Sequence, residues 1–443
     1  MPSLTDRDSK STITRLRLAP RIIPRAEHVI SRAGIDDKAL KVLYRLKAAG
    51  YQAYLVGGGV RDLLLGREPK DFDIATDALP EQIRELFRNC RLIGRRFRLA
   101  HIHFGREVIE VATFRGYAGT DDDEHVETEE GRIVRDNVYG DIDDDAWRRD
   151  FTVNALYYNI EDFSVVDYVG GLEDIKSGQI RMVGDPELRY REDPVRMLRA
   201  CRFAVKLGFS IHADTAGPIR RLAPLLAEIP ASRLFEEVLK LFMGGYALQT
   251  FELLRSYGLF GQLFPEVENC LAEEEGGFPH MLLVRALENT DRRIAEGKPV
   301  TPGFLLAALL WDPMRRATGQ FEAQGMPGSQ AMRLASDAVI SRQIARVSIP
   351  RRFSQITREV WAMQPKLARR GGKNAFRTLV HPRFRAGYDF LALRGEVGEV
   401  ERELVDWWTE FQGAGEERRP AMINELAQGE GGPRRRRRRR RAG

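Results

Sequence analysis

The 443 residues, 43% hydrophobic and 30% charged, give length for about two to four domains and an ordinary soluble composition. The longest apolar runs, such as residues 304–311, fall short of the ~20 residues a membrane helix needs, and the polar N-terminus has no signal-peptide core, so no transmembrane segment and a cytoplasmic protein are expected. The formal charge is +6, but subtracting the eight consecutive arginines at 434–441 leaves −2, so the positive excess is a tail suited to nucleic-acid phosphates. Only Cys90, Cys201 and Cys270 occur, far apart, which argues against a disulfide framework and against a zinc site.

In chain order, residues 1–35 are basic and polar with Pro20 and Pro24, and read as a flexible basic arm. Leu40, Leu43 and Leu46 predict a helix over 38–49, stopped by Gly50. A strand over 51–56 then runs into Gly57, Gly58 and Gly59, followed by a short helix ending at Gly66. Asp71 and Asp73 alternate with Phe72 and Ile74, which predicts two carboxylates on one strand face. A helix over 80–87 precedes strands over 90–93, 99–104 and 108–114, the last carrying Glu110.

The acidic runs 121–130 and 141–145 lack the register of a calcium loop and read as solvated loops. Residues 148–155 open a new element, with strands after it at 156–159 and 164–168. Beyond Tyr190 amphipathic helical patterns dominate to about Phe411. The expected fold class is α+β. The expected domains are a head over 36–185, a helical neck over 186–265, a helical RNA-binding body over 266–412, and a disordered arginine-rich tail over 413–443.

Asp71, Asp73 and Glu110 are hard oxygen donors suited to magnesium, and the glycine turn lets backbone amides approach a phosphate. Arg61 and the pair Arg148 and Arg149 are placed to balance triphosphate charge. Together they suggest nucleotidyl transfer, in which an RNA 3′-hydroxyl attacks an α-phosphate and pyrophosphate leaves. Taken singly, each part also fits a plainer role: a turn, a surface Asp-x-Asp, a solvated strand Glu, an exposed basic pair.

Four runs occur in order: Leu55-Val-Gly-Gly-Gly-Val-Arg-Asp62, Asp71-Phe-Asp73, Arg148-Arg-Asp-Phe-Thr-x-Asn-Ala155, and Arg191-Glu-Asp-Pro-x-Arg-x-Leu-Arg-Ala200. They resemble the class II nucleotidyltransferase superfamily, which holds tRNA CCA-adding enzymes and bacterial poly(A) polymerases. Gly66-Arg-x-Pro-Lys-Asp71, the run 88–101 and the arginine-rich end are similar to the polyadenylating branch.

The resemblance implies a polymerase-β-like head followed by an all-α neck, body and leg. It implies two Mg2+ ions on Asp71 and Asp73, with Glu110 as the accompanying strand carboxylate. It places the triphosphate of ATP on Gly57 and Gly58 with Arg61. Arg149, Asp150 and Asn154 stand beside the nucleotide, with Asp150 in a catalytic or geometry-fixing role. Glu192, Asp193 and Arg196 read the base from the first neck helix, Asp193 and Arg196 sharing one face by their i, i+3 spacing. The partners implied are RNA 3′ ends, with the tail on RNA phosphates. The rival expectations are a CCA-adding tRNA nucleotidyltransferase and, in another class, a non-catalytic RNA-binding protein.

Overall fold

A computed structural model describes residues 19–94, 98–116, 125–127, 133–136, 138–273 and 281–429. The arginine run at 434–441, residues 1–18 of the arm and most of the acidic run 121–130 lie outside the described residues. Two compact units divide the chain: Met1–Asp193 with Gly208–Pro218, and Pro194–Leu207 with Ile219–Gly443.

The first unit is built on an eight-stranded sheet. Its strands are β1 (Arg21–Ile23), β2 (Ala53–Val56), β3 (Asp73–Thr76), β4 (Cys90–Ile93), β5 (Leu99–Phe104) and β6 (Glu107–Thr113). A separate antiparallel hairpin, β7 (His125–Glu127) and β8 (Ile133–Asp136), follows, and β9 (Leu156–Asn159) and β10 (Val165–Asp167) return to the main sheet. The sheet order is β1-β10-β9-β2-β3-β6-β5-β4, and only the β3–β6 pair is parallel. The predicted strands thus form, but β3 starts at Asp73, so Asp71 lies before the strand and does not share a strand face with Asp73 as expected. Part of the acidic run 121–130, expected as loop, is instead strand β7.

Helix α1 (Asp37–Ala48) starts where the Asp36 carboxylate accepts from Lys38 N at 2.7 Å and from Ala39 N at 3.3 Å. It buries Val42, Leu43 and Leu46, each worth about 1.5–3 kcal/mol when fully buried. Gly50, at φ 89°, lets the chain turn into β2. α1 packs across β2, β3 and β6, where Leu55, Ile74 and Val111 stand in one fully buried row. Leu43→Ala would leave a cavity there and cost about 2–5 kcal/mol.

One residue along each strand, Val56, Asp73 and Glu110 form the neighbouring row on the opposite face. Part of that face is covered by α4 (Ile142–Arg148), after α2 (Gly58–Leu64) and α3 (Pro80–Leu86) in the chain. Ala146 of α4 belongs to a core with Val56, Ala75, Phe114, Tyr157 and Val166.

Several expectations change. The second half of the basic arm is no flexible segment: β1 pairs with β10 at the sheet edge, and Ile23 and Ile30 are buried. The acidic run 141–145 is no loop but the start of α4, with the Asp141 carboxylate capping it through Asp144 N at 2.8 Å. Asp193 does not share a helix with Arg196. Helix α5 (Gly171–Ser177) is followed by α6 (Pro186–Glu192), which ends before Asp193. Asp193 is extended at φ −152°, ψ 90°, and α7 begins only at Val195 (Val195–Leu207). The cause is Pro194, which lacks a donor and disfavours helical geometry in the residue before it.

The second unit is helical in its described residues, as the patterns beyond Tyr190 predicted. The Trp408 indole donates to the Leu367 carbonyl at 2.7 Å within a core of Met363, Phe384, Tyr388 and Phe411. The end of the chain departs from the expected disorder: Arg418–Gly429 is a helix, and its Met422 is buried in that core.

Candidate active site

The strand β2 delivers the chain to Gly57 at φ 74°, ψ −136°, a conformation glycine tolerates and an L side chain resists. The neighbours of the turn are close at hand, though only Gly59 is short of room for a Cβ. A Cβ on Gly57 would stand 3.7 Å from Arg149 Nη1, 3.8 Å from Asp73 Oδ2 and 4.0 Å from the Asn154 carbonyl. A Cβ on Gly58 would meet the Arg61 guanidinium at 3.4 Å. One on Gly59 would press at 3.3 Å on the carbonyl of Asp71. The fold therefore gathers Gly57, Asp73, Arg149 and Asn154, which are distant in sequence, around one turn.

Asp73 opens β3, and Asp71 lies exposed just before it. Asp73 keeps a solvent-facing surface, yet protein atoms crowd its carboxylate. That crowding, then Glu110, then Asp71 push its pKa up to about 6 against the opposing pull of Arg149. Glu110 stands beside Asp73 in the parallel pair, and its Oε1 lies 3.3 Å from His101 Nε2 on β5.

Arg149 is fixed from behind by a buried carboxylate. Asp145 Oδ2 accepts from Arg149 Nε at 3.0 Å, from Arg149 Nη2 at 2.7 Å and from the Tyr157 hydroxyl at 2.6 Å. Asp145 Oδ1 accepts from the Arg115 amide at 3.2 Å. Asp145 is 1% exposed. Burial alone would raise its pKa, but Arg149, Arg115 and the Tyr157 hydroxyl outweigh burial and hold the carboxyl well below the usual carboxylate range. Burial opposes the charge on Arg149 too, and Asp145 and Tyr157 override it and hold the guanidinium above its ordinary pKa. The guanidinium also lies over the Tyr157 ring, 5.1 Å from its centre.

A second buried arginine organises the other side. Arg61, 2% exposed, donates through Nε and Nη2 to Asp62 Oδ1 at 2.8 and 2.7 Å, and through Nη1 to Asn154 Oδ1 at 2.6 Å. Asn154 Nδ2 donates to Asp150 Oδ1 at 3.3 Å, which also accepts from the Phe151 amide at 2.8 Å. The geometry puts Arg61 behind Asn154 rather than at an open phosphate site. Arg189 of α6 donates to the carbonyls of Arg148 and Arg149 at 2.7 and 2.6 Å and to Glu192 at 2.7 Å. Glu192 is thereby linked to the Arg148–Arg149 backbone. Asp193 is buried in the first unit, and Arg196 is buried on α7 in the second.

Sequence reasoning missed Asp145, Tyr157, Asp62 and Arg189. The available signal was the i, i+4 spacing of Asp145 and Arg149, masked because Asp143 and Asp144 stand beside Asp145 in one acidic run.

Three regions match known families: 53–181 a poly A polymerase head domain, 208–271 a probable RNA and SrmB-binding site of polymerase A, and 324–442 a polymerase A arginine-rich C-terminus. Poly(A) polymerase I of Escherichia coli O6:H1 is 51% identical over 422 residues, covering 94% of this chain and 90% of that protein. The chain belongs to the poly(A) polymerase I family. The Haemophilus influenzae poly(A) polymerase I is 46% identical over 424 residues, covering 95% of this chain and 94% of its own length.

CCA-adding enzymes are more distant relatives of this poly(A) polymerase I family member. That of Lactobacillus helveticus is 40% identical but covers only 54% of this chain and 57% of itself. The solved Bacillus stearothermophilus CCA-adding enzyme in complex with CTP is similar at 27% identity and a TM-score of 0.52, covering 88% of this chain and 80% of that one. The chain is a nucleotidyltransferase enzyme with a mixed α+β fold. Among the described residues no helix is long and apolar enough to cross a membrane.

The family implies a divalent metal. Among the described residues no three His, Cys, Asp or Glu side chains converge closely enough to cage an ion as they stand. Asp71, Asp73 and Glu110 nevertheless fit one chemically. They are hard oxygen donors whose charges act on one another, and a cation would relieve the repulsion felt by Asp73.

Proposed function

We propose that this chain adds AMP from ATP to RNA 3′ ends without a template, releasing pyrophosphate. The observation that carries the reading is the meeting of Gly57, Asp73, Arg149 and Asn154 around one turn. Each has a task. The positive φ of Gly57 sets the turn so that the bare Gly57 and Gly58 backbone can approach a phosphate oxygen. Arg149, pinned by Asp145 and Tyr157, brings a fixed positive charge to the triphosphate without reorganising. Arg61 locks Asn154, and Asn154 orients Asp150 toward the nucleotide. Glu192 and Asp193 select adenine by hydrogen bonds to its edge.

Asp71 and Asp73, with Glu110, would hold two Mg2+ ions. When bound, these would supply positive charge to the attacking and leaving oxygens. The arginines at 434–441 add grip on RNA phosphates that does not read sequence. The setting proposed is the cytoplasm.

The test is nucleotide incorporation into an unstructured RNA and into tRNA lacking its CCA end, with ATP or CTP. Long A-tails on both acceptors support the reading. CTP addition that stops after a fixed number favours CCA synthesis, and RNA binding without any incorporation sinks both. Deleting residues 434–441 should lower RNA affinity and flatten its salt dependence while leaving the ATP-over-CTP ratio unchanged.

A further inference from the structure

The row that carries Asp73 does not end at Glu110. Glu110 stands opposite His101 of β5, and His101 stands opposite Arg91 of β4 at the sheet edge. Residues directly opposite one another share a face. So Asp73, Glu110, His101 and Arg91 lie in one line across four strands. With strands about 4.8 Å apart, His101 is on the order of 10 Å from the Asp73 strand.

This half of the sheet is one-sided. On one face Ala100, Ile102, Ile109 and Val111 are buried, and α3 packs on β4 and β5. On the other, Arg91, Ile93, Val108 and Glu110 are exposed, and His101 and His103 are half-buried. The two imidazoles are neighbours, with ring centres 6.3 Å apart at 62°. No carboxylate among the described residues pairs with Arg91.

The geometry points to a binding surface for the 3′-terminal nucleotides of the acceptor RNA on the open face of β4, β5 and β6. This rests on the polyadenylation reading. Two facts favour a nucleic-acid strand as the occupant. The face is continuous, in register, with the carboxylate at which the 3′-hydroxyl must arrive. Its side chains are those a single strand uses: a guanidinium for phosphate, imidazole rings and aliphatic groups for base faces. Because such contacts do not read sequence, they suit an enzyme whose acceptor end changes after every addition.

The test uses the full chain with Arg91→Glu, His103→Ala and the double variant, none of which alters the proposed nucleotide or metal residues. Lys47→Glu on α1 is the control for charge change alone. Initial rates are taken with a short oligoadenylate at saturating ATP, then with ATP varied at saturating RNA. The expected result is an RNA KM raised about tenfold in the double variant, with kcat and the ATP KM within about twofold of wild type and no change for Lys47→Glu. An unchanged RNA KM, or an equal rise for Lys47→Glu, overturns the surface. If the unmodified protein incorporates no AMP, the polyadenylation reading fails instead. Fluorescence anisotropy of labelled oligoadenylate on the same proteins then still decides the surface, which stands if the double variant binds about tenfold more weakly and falls if affinity is unchanged.

Discussion

Two carboxylates of the first unit, Asp73 and Asp145, are driven in opposite directions. Asp145 is wholly buried, yet two arginines and a tyrosine hydroxyl satisfy it, and its carboxyl stays ionised far below the ordinary range. Asp73 keeps a face open to solvent, but the protein atoms crowding its carboxylate, and after them Glu110 and Asp71, push its pKa up to about 6. Arg149 faces both: it is bonded to Asp145 and aimed at the turn beside Asp73. Burial pushes both carboxyls up; at Asp145 the opposite charges outweigh it, and at Asp73 the like charges add to it. A finished ion pair makes scaffold. Unmatched like charges keep a place for a cation.

The largest expected effect breaks the open side. Asp73→Ala should lower AMP addition by about 10³-fold or more while the protein still melts cooperatively; substantial magnesium-dependent turnover would remove Asp73 from the metal set. Next comes the closed side. Asp145→Ala strands Arg149 in the interior and should cost about 3–5 kcal/mol in urea unfolding. A loss below about 1 kcal/mol would mean that the pair does not hold this part of the fold together.

The pH dependences sharpen the contrast. The Asp73 pKa is raised by folding, so its contribution to stability is complete below the unfolded value of about 3.9 and is lost as pH rises through about 6. In melts without divalent cations, Asp73→Asn should therefore exceed wild type above pH 6 and match it below about pH 4. The Asp145 pKa is lowered, so its contribution is present above about pH 3.9 and is lost as pH falls. Equal melting curves for Asp73→Asn and wild type at pH 8 would contradict the crowding at Asp73. The smallest effect is Tyr157→Phe, which removes the hydroxyl that donates to Asp145 and accepts from Arg149 Nε and, at about 0.5–1.5 kcal/mol a bond, should cost about 1–3 kcal/mol with AMP addition largely kept.

Much of the head was legible because its signals are local. Alternation at Phe72 to Ile74 and at 108–114 marks strands, and Leu40, Leu43 and Leu46 mark α1. Runs in which one residue differs from its neighbours only by what it faces were not legible. In 141–145 four aspartates look alike, and only Asp145 turns inward, because α4 presents that position to Tyr157 and Arg149. The Asp193 and Arg196 pair misled for a local reason that the sequence did contain: Pro194 ends the helix between them.

The sequence by itself determined the glycine turn, the Asp71 and Asp73 pair, the Arg148–Asn154 motif and the helices of the described residues of the second unit, since each follows from short-range periodicity or backbone chemistry. Only the tertiary structure decided what surrounds them. Sheet register brought Glu110 beside Asp73 and His101 beside Glu110, and packing put Asp145 behind Arg149 and Arg61 behind Asn154. The register that pairs Asp73 with Glu110 spans 37 residues of chain, and the hydrogen bond that joins Arg61 to Asn154 spans 93. Local propensity carries no record of such contacts. The glycines and aspartates name the chemistry, and the sheet decides which charges meet there.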